Sequence, residues 1–111
     1  MAVIRGRAYL AVPYSHPAPD VRHARWVAAN CETARLSRDG WLVYSPISMG
    51  HPIARIGDLP TEFEFWRQHC EWMLSVCDTL VVLALDGWRE FVGVTTEIAM
   101  ATERGIEIIY V

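Results

Sequence analysis

The chain contains no lysine, because all ten of its basic residues are arginine. That excludes Schiff-base chemistry and a phosphate-binding lysine of the Walker type. It has no GxGxxG stretch either, so the usual dinucleotide and P-loop fingerprints are absent. Long apolar runs are also missing. The longest, Leu80 to Leu85, falls far short of a bilayer span, and no membrane partner is expected. The opening "MAVIRGRAYLAV" lacks a long apolar segment followed by a small-residue cleavage site, so no signal peptide is expected. Cysteine is scarce. Cys31, Cys70 and Cys77 are odd in number, fit no zinc spacing, and read as reduced core thiols of a cytoplasmic protein. There is no HxH or HExxH, so no metal and no cofactor are expected. A net charge of −3 argues against a nucleic-acid partner.

What is present fits one globular domain, residues 1–111. Just over half of the residues are hydrophobic and five are Trp, enough for a core without staples. Strand and helix patterns alternate. "RAYLAV" (Arg7 to Val12) reads as a strand. Asp20 can start a helix to about Asp39, with Val21, Ala24, Ala28 and Cys31 at helical spacing and Gly40 as its stop. "WLVYS" is a second strand, and "PISMGHPIARIGDLP" reads as a long loop from Pro46 to Pro60. Thr61 begins a helix to about Val76. "TLVVLAL" has the continuous apolar character of a strand buried on both faces. A last helix spans about Gly93 to Arg104, and "IEIIYV" is a fourth strand.

This alternation predicts a three-layer, Rossmann- or flavodoxin-like α/β domain. Its parallel sheet should have four or five strands, ordered 2-1-3-4. Ligands then bind beyond the carboxyl ends of the strands, at a switch point between strands one and three. A pocket lined by Tyr9, Tyr14, Ser15, His16, Asp86, Trp88 and Glu97 is expected there. Asp78 begins the third strand, about eight residues or roughly 26 Å from Asp86. It should lie on the opposite edge in a structural role.

Glu97 falls about 60° from the centre of the stripe set by Val94, Ile98 and Ala101. A half-desolvated carboxylate near a helix N-terminus can attack an electrophilic carbon or stabilise a developing cation. A first-turn charge complementing the helix dipole is the commoner explanation, by roughly two to one. Tyr9 reads first as a core tyrosine with its hydroxyl satisfied. His16 and His51 each precede a proline and read as solvated loop histidines. Arg22 and Arg25, at the start of the first helix, could hold a phosphate, although a solvated face is favoured roughly three to one. Trp88, alone among the tryptophans, is placed in a loop where it could stack on a ligand.

"AYLAVPYSHP", "GWLVYSPISMGHPI" and "LDGWREFVGVTTEIAMA" together resemble a small bacterial family of uncharacterised domains. That family is related to nucleoside 2-deoxyribosyltransferases and deoxynucleoside-monophosphate N-glycosidases. The resemblance covers about Ala8 to Val111. It implies that Glu97, in "GVTTE", is a nucleophile acting through an oxocarbenium-like transition state. It implies that Tyr9 lies beside the reacting sugar and that Pro13 to His16 line the sugar side. The expected site thus has Glu97, Tyr9 and Asp86 as catalytic residues. Tyr14, Ser15, His16, Arg22, His51, Gly87, Trp88, Phe91 and Gly93 are expected to bind a nucleoside or nucleotide. Homodimers or higher homo-oligomers are implied as well. Two positions depart from the relatives. Phe91 stands where a Ser or Asp holds the 5′ end of the sugar, and Cys70 stands where an Asp transfers protons. The expected activity is therefore N-glycosidase or 2-deoxyribosyltransferase. The alternative is a non-catalytic nucleotide-binding or sensing module with an inherited pocket.

Overall fold

The computed structural model describes residues 3–111. Four strands, β1 (Gly6–Ala11), β2 (Trp41–Tyr44), β3 (Thr79–Val82) and β4 (Glu107–Tyr110), form one sheet in the order β2-β1-β3-β4. Every pairing is parallel. The helices are α1 (Pro19–Arg38), α2 (Pro46–Gly57), α3 (Phe63–Ser75) and α4 (Val92–Glu103). The expected strand order and three-layer α/β architecture are those observed.

Alternation along the strands separates two cores. Tyr9, Ala11, Leu80 and Val82 pack with Cys70 and Leu74 of α3 and with Val94 and Ala101 of α4. Ala8, Leu10, Val12 and Val81 face the other way, onto Ala29 and Leu36 of α1. β3 is buried along its whole length, as its unbroken apolar sequence requires. Leu10, Leu80 and Val81 are essentially inaccessible, each contributing about 1.5–3 kcal/mol of burial energy. Among the described residues, no helix is long and apolar enough to cross a membrane.

The buried face of α1 differs from the expected one. Ala29 and Leu36 carry it, while Ala24 and Cys31 are exposed. α1 packs on β2 and α2 as well as on the sheet, and that selects a different stripe. Cys31 is thus a surface thiol, whereas Cys70 is buried. Gly40 does end the α1 segment. At φ +98 it occupies left-handed backbone, and a Cβ there would meet the Val3 carbonyl oxygen at 2.3 Å.

The larger correction is α2, in the stretch read as a loop. Pro46 occupies the first turn, where its missing N–H costs nothing. Pro52 lies inside the helix and cannot bond back to the carbonyl of Ser48. The Trp26 indole of α1 donates to that carbonyl at 3.1 Å instead. The defect in α2 thereby becomes its attachment to α1. Asp58 ends the helix in left-handed backbone at φ 53, and the Leu59 N–H donates to the Ala54 carbonyl at 2.9 Å.

Candidate active site

β1 brings Tyr9 to the face covered by α3 and α4, where the residue is fully buried. Its hydroxyl donates to Oε2 of Glu97. Glu97 is buried at 5% exposure, with Val94 and Ala101 of the same helix at zero. It therefore sits within the buried face of α4 and not on its shoulder. Burial raises the Glu97 carboxyl from 4.5 to about 8, and the Tyr9 hydrogen bond pulls against that rise. The Tyr9 phenol is raised in turn, first by burial and then by the Glu97 charge. Tyr44, whose ring centroid lies 5.5 Å from that of Tyr9, is pushed up to about 12, mainly by burial. Cys70 completes the group. Burial, then the Glu97 charge, pushes its thiol up to about 12. It stays a thiol at neutral pH and is a poor nucleophile and a poor acid.

Glu97 and Cys70 form part of the wall of a largely apolar cavity at the carboxyl ends of β1 and β2. Tyr14, Tyr44, Ile47, His51, Phe63 and Trp66 supply much of the rest. The space open to the centres of water-sized molecules is about 50 Å³, room for a few waters or a small group. A wider outer cleft, about 380 Å³ by the same measure, is lined by Ser15, Glu62, Phe63, Glu64, Glu90, Phe91, Val92 and Gly93. The two spaces share Ser15, Phe63, Phe91 and Gly93. Gly93 is needed at this junction. A Cβ there would stand 3.0 Å from the Phe63 ring and 3.3 Å from that of Phe91.

Across the cavity from α4, α2 presents His51. Its Nδ1 is hydrogen-bonded to the Tyr14 hydroxyl. The ring packs against Trp26 and His23 of α1, with centroids 5.1 and 5.9 Å away. His51 is only 4% exposed, and its Nε2 has no hydrogen-bond partner among the described residues. Burial lowers its pKa, helped by Arg55, His23 and Arg22, so the ring is neutral near pH 7. Burial raises the Tyr14 phenol.

The expected residues sort into three groups. Tyr14, Ser15, His51, Phe91, Gly93 and Glu97 line the cavity, with Tyr9 directly behind Glu97. His16, Arg22, Asp86, Gly87 and Trp88 line neither space. The His16 ring instead accepts the Ala18 N–H at 3.0 Å. Arg22 donates to the carbonyls of His16 and Pro17, and Arg25 to those of Tyr14 and Ser15. Both arginines brace the loop after β1. Asp86 and Gly87 are exposed, and Trp88 packs against Tyr110 of β4 with ring centroids 5.5 Å apart. The cavity is thus displaced from the β1–β3 switch point toward β2. α2 closes it there, and that helix was not expected. Tyr44, Ile47, Trp66 and His69 are lining residues that sequence reasoning missed. Apolar residues at helical spacing, Ile47, Ala54 and the carbons of His51, were the available signal. Among the described residues no group of three His, Cys, Asp or Glu side chains could hold a metal ion.

A protein-family model described as a domain of unknown function, DUF1937, matches residues 6–111. The chain belongs to the DUF1937 family. The match spans all four strands and every residue of the cavity wall, so the site belongs to the DUF1937 domain itself. No curated protein shows a significant match to the chain.

Proposed function

We propose that this DUF1937 domain cleaves or transfers an N-glycosidic bond of a nucleoside or nucleotide, with Glu97 as nucleophile. One observation carries the reading. A carboxyl group is buried at the wall of a partly enclosed cavity, with one oxygen held by Tyr9. Burying such a group costs stability unless it is compensated, and active sites are where such costs concentrate. The resemblance read in the sequence, which implies that Glu97 of "GVTTE" matches the nucleophilic glutamate of nucleoside 2-deoxyribosyltransferases and N-glycosidases, supports the same assignment.

In this mechanism an oxygen of ionised Glu97 attacks the anomeric carbon as the carbon–nitrogen bond breaks. The bonding pair leaves with the base, which takes a proton from solvent. The sugar is left esterified to Glu97. Water then bonds to the same carbon, the ester bond returns its electron pair to the carboxylate, and a proton goes to solvent. The net reaction is glycoside plus water giving free sugar plus free base. A second base in place of water gives transfer. Tyr9 orients the carboxylate throughout and favours its ionised form.

The test is incubation with deoxynucleosides and their monophosphates, followed by chromatography for free base. Glu97→Gln should keep the fold and reduce release by at least about 10²-fold. Unchanged release from a folded Glu97→Gln protein would reject the nucleophile. A second reading, a nucleotide-binding module without turnover, draws on Cys70. Its un-ionised thiol lies beside Glu97, where a proton-transfer carboxyl would be needed. Measurable binding with no base release from any substrate would favour it.

A further inference from the structure

We infer that the site takes an uncharged, unphosphorylated nucleoside and rejects the corresponding monophosphate. The inference rests on the glycoside reading above and narrows its substrate class. The inner cavity is small, about 50 Å³, so most of a nucleoside-sized ligand must extend past Gly93 into the outer cleft of about 380 Å³. Three carboxylates, Glu62, Glu64 and Glu90, line that cleft.

Their positions matter more than their number. Helix N-termini are the natural seats for a phosphate, because their free N–H groups and dipole favour negative charge. α3 and α4 both begin at this cleft, and each start already carries carboxylates. Glu62 is the N-cap residue of α3 and Glu64 lies in its first turn. Glu90 immediately precedes Phe91, the N-cap of α4. A phosphate, with about −1.5 to −2 charges at pH 7, would enter a place already occupied by its own sign.

Among the described residues, no arginine lines the cavity or the cleft. Arg25 comes near, 5.9 Å from the centre of the Phe91 ring, but it donates to the Tyr14 and Ser15 carbonyls. Arg67 lies 3.6 Å from Glu64 and also binds Glu71, and among the described residues neither Glu62 nor Glu90 is in an ion pair. His69, on the inner wall, packs its ring against Trp66. Deeper in, His51 lines the inner cavity, its Nε2 buried and without a hydrogen-bond partner among the described residues. Burial and three neighbouring basic groups keep that ring neutral.

Calorimetry on the Glu97→Gln protein measures binding without turnover. The ligands are the 2′-deoxynucleosides and their 5′-monophosphates. The nucleoside should bind at least about 10-fold more tightly at low salt, and the ratio should shrink as salt screens the cleft. A Glu62→Gln/Glu64→Gln/Glu90→Gln variant should bring the ratio close to one. Equal or tighter binding of the monophosphate to the native cleft overturns the inference, even if base is released and the glycoside reading stands. Nucleoside-selective binding without base release from the unaltered chain supports the inference and rejects the glycoside reading. Binding of neither ligand overturns the inference, and base release from the unaltered chain then decides the glycoside reading separately.

Discussion

Asp78 and Glu97 are carboxylates at opposite edges of the same sheet, and they are treated in opposite ways. Asp78 meets water. Both its oxygens accept the Arg7 N–H at 3.2 Å, and the Arg7 guanidinium lies 3.6 Å away. Glu97 lies on the buried face of α4 at the cavity wall, with one hydroxyl donor among the described residues. The first arrangement is what a structural carboxylate needs. The second leaves a charge poorly compensated, which the fold tolerates only by holding the group protonated or by placing it beside a cavity. Under the proposed function, the difference separates an edge built for stability from one built for chemistry.

Removing the ionisable group tests the contrast most strongly. The Glu97 carboxyl titrates at about 8 in the folded chain against an ordinary 4.5. Between those values the folded state holds a proton that the unfolded state has released. Stability therefore falls as pH rises through that window, and the loss is complete above about 8. The total is on the order of a few kcal/mol. Glu97→Gln should abolish this slope and leave the variant more stable than the parent at pH 9. Urea unfolding from pH 5 to 9 measures it, and parallel curves would show that Glu97 is ionised throughout.

Tyr9→Phe sharpens the same point. Its hydroxyl is what opposes the rise of the Glu97 pKa. A hydrogen bond to a charged group contributes about 1.5–3 kcal/mol, or roughly one to two pH units. If base release requires ionised Glu97, its rate should climb with pH and level off above about 8. The Phe variant should need a pH one to two units higher. A profile that falls in amplitude without shifting would mean that Tyr9 only packs.

The two edges were unequally legible in the sequence. Asp78 was placed correctly because strand counting alone carries it to the edge opposite Asp86. β3 declared itself by continuous apolar residues. Glu97 stood out as a carboxylate close to an apolar helical stripe, although it lies beyond the first turn of α4, where it was expected. The cavity was harder to read because α2 forms its wall. Pro46, Gly50, Pro52 and Gly57 are loop residues by local propensity, and tertiary contact overrides them. Trp26, distant in sequence, supplies a donor to the Ser48 carbonyl. Asp86 and Trp88 were drawn toward the pocket by the switch-point rule, which places loops but not the side chains on them. Trp26→Phe should cost about 1 to 2 kcal/mol through the orphaned carbonyl and lost contact with His51. Because α2 carries His51, ligand affinity should fall with it. A loss of stability with unchanged affinity would separate α2 from the site.

The smallest effect is expected at the other edge. Asp78→Asn keeps an oxygen to accept the Arg7 N–H and removes the charge beside the guanidinium. Exposed ion pairs contribute about 0–1 kcal/mol, and the Asp78 side chain is 47% exposed. The amide NH₂ must turn away from the Arg7 N–H, toward solvent, because two donors cannot face each other. Asn therefore loses one of the two acceptor positions that Asp78 offers. The denaturation midpoint should fall slightly with an unchanged denaturant dependence, a change of at most about 1 kcal/mol. Base release should keep its rate and its pH profile, since the substitution lies at the far end of the strands from Glu97. A shifted profile in Asp78→Asn would couple the two edges electrostatically and break the division between them.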